Sequence, residues 1–242
     1  MPLTTENETS AVKGFSRFAH SYETYNMIQA QVAQTLVEGI EHKIYPIIID
    51  IGCGSGAIYS NLKKKEIVFD SFVAMDLSQK MLALHPSDIK ITKICSDFNS
   101  PEGIRQYCGN PDALILSSSA LQWSADLDKT FAWLSQCAHQ SRFAIFTSKT
   151  FKTLHQIAGI ASPIYSEEAL KQSIEKYYKA SFKTEVYELS FPSTREMFRY
   201  IQKSGVGGGE RQMGYKQMKR VMEEYPLDYL EFEVLFVEAT SL

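Results

Sequence analysis

A run of branched aliphatic residues that breaks into glycines constrains this chain more than any other feature. Pro46 opens the stretch Ile47-Ile48-Ile49-Asp50-Ile51, and Gly52-Cys53-Gly54-Ser55-Gly56 follows without a gap. Consecutive β-branched residues lacking polar alternation suit a strand covered on both faces, the environment of a parallel sheet. The glycines predict a sharp turn into a helix over about 55–65, leaving bare main chain against which a ligand can lie.

The remaining sequence repeats that strand–helix rhythm. A helical pattern covers 16–40, with Ile28, Val32, Leu36 and Ile40 at i, i+4 spacing. Strands are expected over 71–76, 89–95, 113–116 and 143–147. Between them come a helix over 79–84 with Ser78 as N-cap, a helix start at Ser100-Pro101, and a helix over 127–137. Such alternation implies a mostly parallel sheet with helices on both faces. The last third departs from it: a helix over 166–178, a strand over 182–191, a capping box at Ser193–Glu196, a glycine-rich loop over 205–209, a helix over 215–224 and a strand over 229–239. The expectation is one Rossmann-like α/β domain over 14–242 with seven strands. A helical lid insertion over 192–226 precedes the last strand, and 1–13 form a loose tail.

Composition narrows the setting. With 44% hydrophobic residues in 242, the chain can bury one substantial core. A net charge of −3 argues against a chain-wide nucleic-acid footprint. No run reaches membrane-span length and no signal peptide is evident, so a cytoplasmic protein without a membrane partner is expected. The cysteines Cys53, Cys95, Cys108 and Cys137 make no C-x-x-C pair and have no histidine pair at zinc spacing. They are read as reduced thiols, with no metal site.

The glycine motif has an acidic companion. Asp76 ends the second strand, 20 residues beyond Gly56, where a carboxylate accepts from both hydroxyls of a ribose. Gly52-x-Gly54-x-x-Ala57 also fits a dinucleotide motif, so the glycines alone leave the cofactor open. Three features favour S-adenosylmethionine. Asp50, at a strand end, suits the ammonium of a methionine moiety and repels phosphate. A strand hairpin, rather than a second mononucleotide half, follows the fifth βα unit. Ser96-Asp97-Phe98 follows the third strand, offering an acid to an adenine amino group and a ring to cover the base. Cys53 reads as a small packing residue.

Asp50-x-Gly52-x-Gly54-x-Gly56 together with Met75-Asp76-Leu77-Ser78-x-x-Met81-Leu82 resembles the class I methyltransferases. Three further segments narrow the likeness: Phe15-Ser16-Arg17-Phe18-Ala19-x-x-Tyr22, Leu116-Ser117-Ser118-Ser119-Ala120-Leu121-Gln122-Trp123, and Phe198 to Gly207. With them the chain, from about residue 14 onward, resembles the malonyl-acyl carrier protein methyltransferases of biotin synthesis. Enzymes acting on trans-aconitate or another small carboxylic acid share much of the pattern. The resemblance implies a class I methyltransferase fold. It implies S-adenosylmethionine, leaving as S-adenosylhomocysteine, held by Asp50, Gly52, Gly54, Gly56, Asp76, Leu77, Met81, Asp97, Phe98 and Ser117. It also implies an acyl carrier protein whose malonyl-phosphopantetheine arm presents a free carboxylate.

Methylating a carboxylate asks little of side chains. Its pKa of about 4 leaves it ionised at pH 7, so no general base is required. Positioning and exclusion of water carry the rate. Tyr22 is the candidate to donate to the reacting carboxylate, Arg17 to pair with one, and Trp123 to wall the substrate mouth. Arg195, Arg199 and Lys203 recur every four residues and line one helix face. From Arg195 to Arg220 there are seven basic and two acidic residues, a dock for an acidic carrier protein. The fourth strand is followed by serines, not by the loop that holds a nucleic-acid base, so no nucleic-acid partner is expected.

Overall fold

The computed structural model describes residues 26–204 and 213–242, without the side chains of 202–204 and 215. The expected tail, Arg17, Tyr22, the start of the first helix, the loop over 205–209 and the Lys203 side chain lie outside the described residues. In chain order the elements are α1 (Met27–Glu38), β1 (Ile44–Ile51), α2 (Ala57–Lys64), β2 (Val68–Asp76), α3 (Gln79–Leu84), β3 (Ile91–Cys95), β4 (Leu114–Ser118), α4 (Leu127–Cys137) and β5 (Gln140–Phe146). Then come α5 (Lys152–Ala158), α6 (Glu167–Ile174), β6 (Tyr178–Ser190), α7 (Thr194–Ser204), α8 (Tyr215–Glu224) and β7 (Tyr229–Ser241).

Seven strands form one sheet in the order β3-β2-β1-β4-β5-β7-β6. The first five pair in parallel, whereas β7 runs antiparallel to both β5 and β6. This is the expected Rossmann-like, mostly parallel sheet. Ile48, Ile49 and Ile51 of β1 are fully buried because helices cover both faces. One face packs Ile28, Val32 and Leu36 of α1 with Phe72 of β2; the other packs Phe131 and Leu134 of α4 with Ile49. Lys65 fixes the end of α1 by donating to the carbonyls of Val37, Glu38 and Ile40 at 3.3, 2.6 and 2.5 Å. α7 and α8 lie between β6 and β7, where the insertion was expected.

The helix expected from Ser100-Pro101 is a single 3-10 turn over Pro101–Gly103, and three further features differ from the sequence reading. α5 was not anticipated; it starts after Phe151, which takes a left-handed φ of 57° while its N–H donates to the Glu231 carbonyl. α6 stops at Ile174 rather than Tyr178, because Tyr178 begins β6, paired with Ser241 and buried edge-on against Phe143. Cys108 and Cys137 form a disulfide, which corrects the reading of four reduced thiols. A main-chain bond from Gly109 N to the Cys137 carbonyl, 2.9 Å, brings the loop before β4 to the end of α4, a proximity no local spacing encodes. Cys53 is buried and lies outside this disulfide.

Candidate active site

The strand order reverses between β1 and β4, so the loops leaving their carboxyl ends diverge and open a crevice. A cleft of about 1060 Å³, its open mouth included, lies there. Its walls come from α1, the β1–α2 turn, the end of β2 and the loops after β3 and β4. The N–H groups of Gly52 and Cys53 both donate to the Met75 carbonyl, at 2.8 and 2.9 Å, which folds the turn onto β2. Gly52 has φ 71°, and a side chain there would run into Ala120 of the loop after β4. Gly56 has φ 93°, and a Cβ would fall 2.6 Å from Pro86 Cδ. Its glycine serves helix entry and packing: Gly56 does not line the cleft, whereas Gly52 and Gly54 do.

Asp50 and Asp76 both line the cleft in contrasting states. Asp50 is fully buried, and neither carboxylate oxygen has a hydrogen-bond partner among the described residues. Burial, reinforced by the nearby Asp76 charge, pushes Asp50 well above the ordinary carboxylate range. Asp76 accepts from Ser78 N at 2.8 Å and Gly54 N at 2.9 Å, one bond per oxygen. Burial raises it too, against the pull of those two N–H donors. Each Asp76 oxygen keeps a lone pair for a further donor such as a ribose hydroxyl. The Cys53 thiol is pushed well up by burial and by Asp50 and Asp76, which leaves it unreactive.

Leu77, Met81, Asp97, Phe98 and Trp123 also line the cleft. Ser78 caps α3 as expected, accepting from Met81 N at 3.4 Å. Asp97 Oδ1 accepts from the main-chain and side-chain nitrogens of Asn99, both at 2.8 Å. The Phe98 carbonyl accepts from Trp133 Nε1 at 3.1 Å, anchoring the loop after β3 to α4. Ser117 departs from its expected place. It is buried, and its hydroxyl donates to the Ile51 carbonyl at 2.7 Å, tying β4 to β1 beneath the cleft. Strand alternation turns Ser118, not Ser117, to the cleft. Ser119 takes a left-handed φ of 61°, held by its N–H on Ala144 and by Gln122 Nε2 donating to its carbonyl. That turn brings Trp123 back to the cleft, with a buried indole N–H that has no partner among the described residues.

Sequence reasoning missed Gln29, Asn26, Asn99 and Ser119, all cleft-lining. Gln29 had a readable signal: it is a polar residue on the apolar, buried face of α1. Arg195 and Arg199 are exposed on α7, outside the cleft, and neither forms an ion pair among the described residues. Farther along, Lys219 and Arg220 pair with Glu223 and Glu224 at 3.7 and 2.9 Å. Among the described residues no helix is long and apolar enough to cross a membrane.

A parallel sheet with one antiparallel strand, β7, set between β5 and β6, and a cleft at the strand-order reversal, is the Rossmann-like fold of class I methyltransferases. The same fold is found in a chain of the Haloferax volcanii complex between the Trm112 methyltransferase activator and a methyltransferase. That chain superposes with a TM-score of 0.63 over 97% of this chain and 99% of its own, at 10% identity. In sequence the chain resembles the malonyl-[acyl-carrier protein] O-methyltransferases. The one from Priestia megaterium is 26% identical over 236 residues, 85% of this chain and 84% of the relative. The biotin biosynthesis bifunctional protein BioCD of Bordetella avium is 29% identical over 64% of this chain and 34% of its own length. No family model matches the sequence.

Proposed function

We propose that the chain is an S-adenosylmethionine-dependent O-methyltransferase for the free carboxylate of a malonyl thioester on an acyl carrier protein, an early step of biotin synthesis. One observation carries the reading. The described residues lining the cleft include three carboxylates and no lysine, arginine or histidine, and the Asp50 oxygens are buried without partners. Such a site calls for a cationic ligand group, since an unpaired buried acceptor costs about 1–3 kcal/mol. The residues present fit the cofactor: Asp50 for its ammonium, Asp76 for its ribose, Asp97 and Phe98 for its adenine, with Gly52, Gly54, Leu77 and Met81 along its length. When bound, it supplies the electrophilic methyl group on a sulfonium.

The protein's own task is to bind, orient and dry the acceptor. With no lysine or histidine in the described lining and the Cys53 thiol held neutral, the cleft favours a nucleophile already ionised at pH 7. The Trp123 indole N–H, buried and unpaired, is a donor suited to such an anion. Arg17 and Tyr22, in the segment preceding α1, are the further candidates to hold the carboxylate. The exposed cations of α7 suit an acidic carrier protein. The names of the relatives in Priestia megaterium and Bordetella avium support both substrate and pathway.

The test is a methyl-transfer assay with malonyl-carrier protein, malonyl-coenzyme A and trans-aconitate offered separately with labelled cofactor. Methyl ester formation on the carrier-bound thioester, faster than on the other two, is expected. Turnover of trans-aconitate alone would replace the substrate assignment, and absence of S-adenosylhomocysteine binding would remove the cofactor.

A further inference from the structure

Among the described residues, four side-chain atoms of the cleft lining are buried without a hydrogen-bond partner: Gln29 Oε1, both Asp50 carboxylate oxygens and Trp123 Nε1. Three of the four are acceptors. Gln29 stands on the first turn of α1, on the face it shares with Asn26, Ala30 and Ala33, all of which border the cleft. That helix does not need Gln29 for its packing. Ile28, Val32, Leu36 and Val37 bury into the core, and Lys65 ties down the far end. The small Ala30 and Ala33 leave room for a ligand beneath the helix. A core-packing glutamine would pair its carbonyl, because an unmade hydrogen bond at a buried acceptor costs about as much as two made ones return.

We propose that Gln29 completes the amino-acid end of the cofactor subsite, its carbonyl and the two Asp50 oxygens accepting the three N–H groups of one primary ammonium. The count is the chemical content. A protonated primary amine has three donors and no acceptor, and the described cleft lining holds three buried acceptors without partners, Gln29 Oε1 and the two Asp50 oxygens. Asp50 supplies the charge, and Gln29 supplies direction without adding a second negative charge beside Asp76. This inference rests on the reading of the cleft as an S-adenosylmethionine site.

Calorimetry on the full chain separates the two claims. The probes are S-adenosylhomocysteine, its analogue lacking only the amine, and 5′-methylthioadenosine, which lacks the whole amino-acid end. Gln29→Met keeps the shape and removes the acceptor. It is expected to weaken S-adenosylhomocysteine about tenfold, one neutral acceptor's worth against a charged donor, and to leave the other two ligands within about twofold. Equal affinity for S-adenosylhomocysteine in Gln29→Met and the unsubstituted chain would overturn the role of Gln29. So would a matching loss for all three ligands, the mark of a packing residue. Should Gln29→Met fail to fold, Gln29→Glu keeps a buried acceptor, and retained S-adenosylhomocysteine affinity is then expected, with loss counting against the proposal. An unsubstituted chain that binds methylthioadenosine but not S-adenosylhomocysteine would fell the ammonium corner as a whole. One that binds neither would fell the cofactor reading first.

Discussion

Asp50 ends the innermost parallel strand, Glu233 lies in the antiparallel β7, and both carboxylates are buried. Around Glu233 the fold supplies partners of its own. Thr147 Oγ1 donates to Oε1 at 2.7 Å, Lys149 Nζ stands 3.4 Å from the same oxygen, and Thr150 Oγ1 donates to the main-chain carbonyl at 3.2 Å. Around Asp50 it supplies none among the described residues. The difference separates a carboxylate that holds strands together from one kept ready for something that is not part of the chain. Burial alone marks neither role; the unmet hydrogen bonds do.

The largest expected effect tests that distinction directly. Asp50→Asn keeps size and removes charge. S-adenosylhomocysteine affinity measured by calorimetry should fall about a hundredfold or more, in line with about 2–5 kcal/mol for losing one partner of a buried charge pair. Glu233→Gln should leave that affinity within about twofold. If both variants bind alike, the contrast between the two carboxylates has no functional meaning.

The next effect runs the other way. Glu233→Leu strands the Thr147 hydroxyl and removes the nearer of the two acidic partners of Lys149, so denaturant unfolding should show a loss of about 1–3 kcal/mol. Cofactor affinity corrected for the folded fraction should hold. A variant as stable as the parent would mean that the Thr147–Lys149 cluster contributes nothing and that paired carboxylates in this sheet are not structural.

A third region sharpens the contrast from outside. Arg195 and Arg199 are exposed and form no ion pair among the described residues, so changing them should leave the fold intact. Reversing both to Glu should lower kcat/KM for carrier-bound substrate about tenfold at low salt, with the deficit shrinking as salt rises. A small malonyl thioester should react as before. Equal losses on both substrates would return α7 to a purely solvated role.

Much of the cleft was legible because its signals are local. The β-branched run before the glycines, the acid ending β2 and the Ser78 cap each follow from neighbours within a few residues. What stayed hidden depends on distant partners. Ser117 and Ser118 are equivalent as sequence, and only the side facing β1 decides that Ser117 bonds the Ile51 carbonyl while its neighbour lines the cleft. Gly56 sits in the same motif as Gly52, yet it is required by His85 and Pro86, some thirty residues on. α5 depends on Glu231 at the other end of the chain, and the Cys108–Cys137 disulfide on a main-chain contact. In the denatured chain Cys108 and Cys137 should resist a thiol label until a reductant is added; labelling of both without reductant would remove the disulfide.

The smallest effect concerns the ligand-free protein, where keeping Asp50 unpaired should be visible as a stability cost. Its carboxyl is raised in the folded state by burial and by Asp76, so the folded chain holds that proton more tightly than the unfolded one. A group shifted this way contributes most below its ordinary value near 4 and loses that contribution as pH rises toward the folded value. Asp50→Asn abolishes the titration. Without ligand, the variant should match the parent at acid pH and exceed it increasingly toward pH 8, by about 2–4 °C in Tm for each 1 kcal/mol relieved in a chain of this size. Saturating S-adenosylhomocysteine should reverse the order, because the ligand stabilises only the chain it binds. A parent as stable as Asp50→Asn at pH 8 would mean that Asp50 already has a partner in the free protein, and its likeness to Glu233 would then outweigh the difference.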